Sequence, residues 1–144
     1  ENAASIAGMK KAFEILSESL SEEINHYINL KNFFLSELES NFRGKYIING
    51  SVNNSLPNIV NVSFLPDKFN SPSTLLPILL DLNDISVSGG SACSSGSLKP
   101  SNVLLELGIP ENVAMSTIRV SFGRFNKKTD LSKLIMVLKE ILEK

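Results

Sequence analysis

The first forty-odd residues carry the feature that most constrains the fold, a long helical spacing of apolar side chains. Between residues 3 and 42 these side chains recur three, four or seven positions apart, as on one face of a helix. They are Ile6, Met9, Phe13, Leu16, Leu20, Ile24, Tyr27, Phe34 and Leu38. A helix of about 40 residues would be roughly 60 Å long. We therefore expect one bend or break, and we expect the first stretch to pack on something outside this chain.

The helical pattern stops where the residue types favour a helix end. Arg43 places a cation near the helix C-terminus, and Gly44 follows as a residue that tolerates left-handed backbone. The sequence therefore predicts two parts, a long connecting helix over 1–44 and a small domain over 45–144.

The second part alternates short strands and short helices. Strands are predicted at 45–49, 58–64, 85–88 and 116–123, from apolar runs bounded by turn residues. Helices are predicted at 73–84, 99–108 and 130–143, with Pro77 and Pro100 in first turns, Gly108 as a stop and Thr129 as a cap. This order predicts an α/β fold of the α+β sandwich type: a three- to four-stranded, mostly antiparallel sheet with helices on one face.

Composition excludes several classes of protein. Hydrophobic residues make up 42% of the 144 residues and the net charge is −1, which indicates a folded chain. The three arginines form no run, so we expect no nucleic-acid surface. No apolar run approaches the ~18 residues of a membrane helix. The first ten residues do not resemble a signal peptide, and without an initiator Met we expect a piece of a longer protein.

The chain has one cysteine, which lies in "SGGSACSSGS" over 88–97. One cysteine forms no internal disulfide, so a reducing cytoplasmic setting is the simplest interpretation, and one His with one Cys makes no usual zinc site. Cys93 could be packed as a small hydrophobic residue. Its glycine- and serine-rich neighbours favour a reactive thiol instead, although no His, Lys or Arg between 86 and 98 would lower its pKa; Lys99 is the nearest cation.

Arg119 is the second candidate, in the middle of the predicted strand "STIRVSFG". Alternation puts Ile118, Val120 and Phe122 on one face and Arg119 on the other. It could pair with a surface carboxylate of the protein, or it could grip a small carboxylate ligand with two parallel hydrogen bonds. The only histidine, His26, is predicted to be an ordinary residue of the long helix rather than a base.

Several stretches resemble one known family when taken in order. "VSGGSACSSGSLKPSNVLLELGI" followed by "STIRVSFGRFNKKTDL" resembles the C-terminal part of NifS/IscS-type cysteine desulfurases. These are fold-type I pyridoxal-phosphate (PLP) enzymes of the class V aminotransferase group. "ENAASIAGMKKAFE" and "PNIVNVSF" resemble the family's segments after its Arg-x-Gly-Thr motif and before its cysteine loop. The long loop over 88–99 is similar to that of the subgroup with an extended catalytic loop.

The resemblance implies a mechanism and two residue roles. PLP condenses with L-cysteine, the thiolate of Cys93 takes the sulfur as a persulfide, and alanine leaves. Arg119 holds the substrate carboxylate. The sulfur then passes to an acceptor, such as an iron–sulfur scaffold or a tRNA-thiolation protein, and Cys93 is a possible transient ligand of an iron–sulfur cluster. The full-length family members are homodimers, with no direct nucleic-acid or membrane partner.

The chain also departs from the family pattern. Gly89 stands where Ser or Thr is more common, Asn102 where His or an aromatic residue is usual, and Pro77 lies in a helix usually free of proline. The His-Lys motif that holds the cofactor is absent, so we expect no cofactor-binding residues in this chain and no activity from it alone.

Two other functions remain open from the sequence. One is a stand-alone module that relays persulfide sulfur or docks a scaffold without catalysis of its own. The other is a selenocysteine lyase-type relative, which would use the same residues on a different substrate.

Overall fold

The long N-terminal helix, α1, spans Ala3–Phe42 in the computed structural model, which describes residues 2–71, 73–89 and 99–143. Asn2 caps it by accepting the backbone N–H of Ser5 at 3.2 Å. Gly44 follows with φ +71°, as the predicted helix end requires. The expected break is absent, because 3–42 contains no proline and a single glycine, Gly8, and so keeps every interior backbone donor.

Burial divides α1 into two parts. Toward its C-terminus, one apolar side chain per turn is almost completely buried: Leu30, Phe34, Leu38 and Phe42. Toward its N-terminus, large apolar side chains remain exposed: Ile6, Met9, Phe13, Ile15, Leu16, Leu20, Ile24 and Ile28. Within this chain the first part of α1 thus leaves its apolar side chains uncovered, and the expectation that it packs on something outside the chain stays a prediction.

Three strands form an antiparallel sheet in the order β1–β2–β3. They are β1 Tyr46–Ile48, β2 Ile59–Phe64 and β3 Thr117–Ser121. The strand predicted at 85–88 is wrong as a strand, since it contributes one isolated bridge between Ser88 and Arg119. Its first residue, Ile85, donates its N–H to the carbonyl of Leu80 instead and so stays against the preceding helix.

In the described parts of the connections lie the short helices α2 Leu76–Asp81, α3 Asn102–Glu106 and α4 Glu111–Met115. The helix predicted at 73–84 is shorter, and it begins with a 3₁₀ turn over Ser73–Leu75. Pro77 lies in the first turn of α2, as predicted. Pro100 does not lie in a helix, because α3 begins after Ser101. Helix α4 was not predicted, since five residues are too few to show a helical period.

The last helix, α5, spans Lys128–Leu142. The predicted cap at Thr129 is wrong by two positions: Lys127 occupies the cap, and its backbone N–H donates to Asp130 Oδ2 at 2.9 Å. The carboxylate of Asp130, at the third position of the helix, thus accepts the backbone N–H of the cap residue itself.

A single hydrophobic core lies between the inner face of the sheet and helices α1, α2 and α5. The sheet contributes Val60, Val62 and Phe64 from β2, and β3 contributes Ile118 and Val120. These are alternate positions, so the opposite face carries Asn61 and Ser63 of β2 and Arg119 of β3, together with Ile47 and Ile59. The predicted architecture, a small antiparallel sheet with helices on one face, is confirmed.

No helix within the ranges 2–71, 73–89 and 99–143 is both long and apolar enough to cross a bilayer.

Candidate functional site

Arg119 lies in the middle of β3, on the face of the sheet away from the core. Its neighbours Ile118 and Val120 are buried, whereas Arg119 is exposed. The predicted alternation is therefore confirmed at this position. Thr117 shares the outer face but is buried, because its hydroxyl donates to the carbonyl of Val113 in α4.

Ser88 holds Arg119 at three points. The backbone N–H of Arg119 donates to the Ser88 carbonyl at 2.7 Å, and the Ser88 N–H donates back to the Arg119 carbonyl at 3.2 Å. Arg119 Nη2 also donates to Ser88 Oγ at 3.2 Å. The guanidinium is thus oriented by the segment that leads toward Cys93 in the sequence. Sequence reasoning missed this role of Ser88, since a single bridge leaves no periodic signal.

A shallow cavity of about 170 Å³ opens beside the guanidinium, lined by Ser86, Val87, Ser88, Arg119 and Ser121. A guanidinium surrounded by small hydroxyl groups provides hydrogen-bond donors in a fixed fork, which suits a carboxylate. None of the ion pairs between described residues includes Arg119, so in this part of the chain no Asp or Glu side chain occupies it. The arrangement favours a small external carboxylate over a structural ion pair.

Cys93, the predicted nucleophile, lies outside the described residues. It follows Ser88 by five positions in the sequence. Its predicted role therefore stays a prediction, as does its possible role as a cluster ligand.

Two departures from the family pattern meet beside this site. A Cβ atom placed on Gly89 would lie 2.9 Å from Cγ of Pro77. Non-bonded carbon atoms pack at about 3.5–4.0 Å, so the proline ring fills the space that a serine or threonine at 89 would need. The departures from the family pattern at Gly89 and Pro77 are therefore linked, because the two residues share one packing contact.

His26 belongs to a polar cluster between α1 and the residues before α5. Its Nε2 atom lies 3.0 Å from the backbone carbonyl oxygen of Asn126. A carbonyl oxygen only accepts, so this nitrogen carries the proton and donates. Hydrogen bonds from the hydroxyls of Ser19 and Tyr27, together with Arg124, hold the pKa of Glu23 below its ordinary value. The cluster joins elements of the fold, and His26 lies in the long helix as predicted, while the prediction that it is not a base stays a prediction.

The donor set of the described residues does not fit a PLP-binding site. PLP needs a lysine amine that is free to form an imine with it. Lys31, which is buried, instead donates to the carbonyls of Val52 and Leu56 and to Ser55 Oγ, at 2.7–3.3 Å. Lys31 thereby anchors the loop between β1 and β2 to α1, and among the described residues no lysine lines the cavity at Arg119.

The comparisons with known proteins identify relatives along the whole chain. The profile of the aminotransferase class-V family matches residues 1–134. A protein named cysteine desulfurase IscS from Dictyoglomus turgidum is 40% identical over 144 residues, which are 100% of this chain and 35% of that protein. The IscS protein of Vibrio cholerae is 36% identical over 139 residues, 96% of this chain and 32% of that protein.

Solved structures agree with the sequence relatives. A NifS-like protein superposes with a TM-score of 0.77 at 28% identity, over 98% of this chain and 34% of that one. The NifS-like protein of Rickettsia africae gives 0.76 at 27% identity, over 98% and 35%. The chain spans about a third of the length of the relatives it matches. Because the family profile matches residues 1–134, which are most of the sequence, the chain belongs to the aminotransferase class-V family.

Proposed function

We propose that this chain is the sulfur-accepting part of a cysteine desulfurase, an enzyme that converts L-cysteine to L-alanine and a protein-bound persulfide. The observation that carries the proposal is Arg119 of β3, which borders an open cavity and is held by Ser88, five positions before Cys93 in the sequence. The relatives named cysteine desulfurase IscS support the same activity.

Arg119 binds the α-carboxylate of the substrate in this proposal. The Ser88 hydroxyl engages one side of the guanidinium through Nη2, which leaves its other N–H groups for the ligand. A carboxylate held in two parallel hydrogen bonds has a defined orientation, so the rest of the amino acid points in one direction. Ser88 is accordingly a positioning residue, acting through Arg119.

Cys93 accepts the sulfur. Its thiolate attacks the sulfur atom of the substrate, an S–S bond forms and the C–S bond breaks. The electron pair of the C–S bond stays with carbon, which takes up a proton and leaves as alanine. PLP, bound by a part of the protein beyond this chain, supplies the electron sink that this cleavage requires.

The persulfide on Cys93 then passes its sulfur to an acceptor protein for iron–sulfur cluster assembly or tRNA thiolation. We place this chemistry in the cytoplasm, where thiols are kept reduced, and in a homodimeric full-length protein.

The test compares the full-length protein that carries this chain with its Cys93→Ala and Arg119→Lys variants, given PLP, L-cysteine and dithiothreitol. Alanine and sulfide are measured together. We expect the wild type to release alanine and sulfide at equal rates. In Cys93→Ala we expect both rates to fall at least a hundredfold. Arg119→Lys keeps the charge but not the fork, so we expect its KM for L-cysteine to rise about tenfold. Arg43→Lys, at an exposed arginine paired with Glu39, is the matched control.

Alanine and sulfide released by Cys93→Ala at the wild-type rate would exclude the persulfide route. The enzyme would then be a lyase-type relative, and competition between selenocysteine and cysteine would identify the preferred substrate. Sulfur transfer without any alanine formation by the wild type would instead favour a relay module.

A further inference from the structure

We propose that Asn61 is a second carboxylate-binding residue, whose side-chain amide N–H acts beside Arg119. The proposal rests on the proposed function, in which Arg119 binds the substrate carboxylate. It adds a donor from β2, which does not line the cavity around Arg119; Asn61 lines the cavity beside it that Asn49 and Lys31 also border.

Asn61 and Arg119 are direct partners across the β2–β3 ladder. Both backbone groups of Arg119 bond to Ser88, on the opposite side of β3, so the pair with Asn61 is of the non-hydrogen-bonded type. In such pairs the Cα atoms are about 4.5 Å apart and the side chains approach most closely. Both residues occupy the outer face, since Val60, Val62, Ile118 and Val120 fill the alternate, inward positions.

A chain of hydrogen bonds on this face starts at α4 and has a fixed direction. The hydroxyl of Thr117 donates to the carbonyl of Val113 at 3.2 Å. Its oxygen lies 2.6 Å from the hydroxyl of Ser63, and because the Thr117 proton is already used, Ser63 is the donor there. The Ser63 proton is then used as well, so the next group in the chain must donate to Ser63. That group is Nδ2 of Asn49, at 2.7 Å.

The same chain determines which way the amide of Asn61 faces. Asn49 Nδ2 also lies 2.7 Å from Asn61, and because Nδ2 is a donor, the atom it meets is Oδ1 of Asn61. Nδ2 of Asn61 is the remaining end, and no described residue accepts a hydrogen bond from it. Asn49 Oδ1 is buried without a hydrogen-bond partner in the described part of the chain. Such atoms are rare in native structures, because an unpaired buried acceptor costs free energy.

The resulting chemistry is selective for a carboxylate. Arg119 and the free end of Asn61 both donate and neither accepts, so the pair matches a ligand group that only accepts. A carboxylate has about four acceptor positions on two oxygens, enough for the guanidinium fork and one further amide. A protonated amine only donates and would gain nothing from Asn61, and a neutral hydroxyl would accept only a weaker hydrogen bond from it.

The experiment measures binding to the full-length holoenzyme by calorimetry, with L-alanine and with ethylamine, which is the same molecule without its carboxylate. Asn61→Ala should weaken L-alanine binding about tenfold, the loss expected for one hydrogen bond to a charged group. Ethylamine binding should change less than twofold. Asn61→Asp places a negative charge beside the ligand's own and should weaken L-alanine binding more than Asn61→Ala does. Asn53→Ala, at an exposed asparagine of the β1–β2 loop, is the matched control.

The possible results separate this proposal from the function on which it rests. If Arg119→Lys weakens L-alanine binding and both Asn61 variants leave it unchanged, Asn61 is not a ligand residue, although the carboxylate site stands. If none of the three variants affects L-alanine, the carboxylate site itself is wrong. Equal losses for L-alanine and ethylamine would show a general structural role and would also overturn the proposal. Asn61→Asp, which is nearly isosteric, carries the test alone should Asn61→Ala not fold.

Discussion

The two halves of α1 share one helical repeat and have opposite environments. Phe34, in the second half, is completely buried against the sheet and α5, whereas Phe13, in the first half, is 65% exposed. Both residues sit on apolar stripes that the sequence spaces in the same way. The difference teaches that an apolar stripe predicts a helix and a face, but not whether this chain supplies the surface that covers it.

The largest expected effect compares these two phenylalanines directly. Phe34→Ala should lower the free energy of unfolding by about 3–5 kcal/mol, because it removes a fully buried ring and leaves a cavity. Phe13→Ala should change it by less than about 0.5 kcal/mol in the 144-residue chain. Urea unfolding followed by circular dichroism measures both. Equal losses in the two variants would show that the first half of α1 is covered in solution, for instance by self-association detectable in sedimentation.

An intermediate effect on stability is expected where Gly89, next to the candidate site, packs against Pro77 of α2. Gly89→Ala should destabilise the protein by about 1–3 kcal/mol, since the new methyl group meets the ring of Pro77 at 2.9 Å. The double variant with Pro77→Ala should recover most of that loss. A double-mutant cycle from thermal unfolding isolates the coupling between the two positions. Additive effects would contradict the packing arrangement and leave Gly89 unexplained.

The smallest effect lies at the start of α5, the helix that packs on the buried half of α1. The backbone N–H of Lys127 lowers the pKa of the Asp130 carboxyl below its ordinary value. A depressed pKa in the folded state means stabilisation that is present above the unfolded pKa and lost as the pH falls through the folded value. Asp130→Asn should therefore lower Tm at neutral pH, and the gap should close in acid, below the ordinary aspartate range.

Glu140→Gln, at an exposed carboxylate of the same helix, is the control for that comparison. Its Tm difference from the wild type should stay small at every pH. A Tm difference between Asp130→Asn and the wild type that does not change with pH would show that the charge of this carboxylate does not stabilise α5.

The features that could be predicted from the sequence are those with a local physical cause. Helix α1 ends where Gly44 adopts positive φ, and β3 alternates so that Arg119 faces away from Ile118 and Val120. The strand predicted at 85–88 failed because only Ser88 reaches β3. Helix α4 was missed because it is too short for its period to show.

The candidate site was predicted in part for a similar reason. Arg119 was identified from its place in an alternating strand, and the family motif added its role. Asn61 also left a faint signal, as a polar side chain within the apolar run "NIVNVSF". Its orientation could not be foreseen, because it depends on Asn49 and on the hydroxyls of Ser63 and Thr117, which come from three different segments.

The sequence by itself determined the helical and strand periods, the helix end at Gly44 and the exposure of Arg119, because each depends on residues within a few positions of one another. Only the tertiary structure decided which half of α1 is buried, that Ser88 holds the guanidinium, and which way the amide of Asn61 faces. Those outcomes depend on groups that are distant in the chain, such as Ser88 and Arg119, 31 residues apart, and Ser63 and Thr117, 54 residues apart, which the sheet brings together. Burial and hydrogen-bond direction are properties of such contacts, and no local pattern of residue types specifies them.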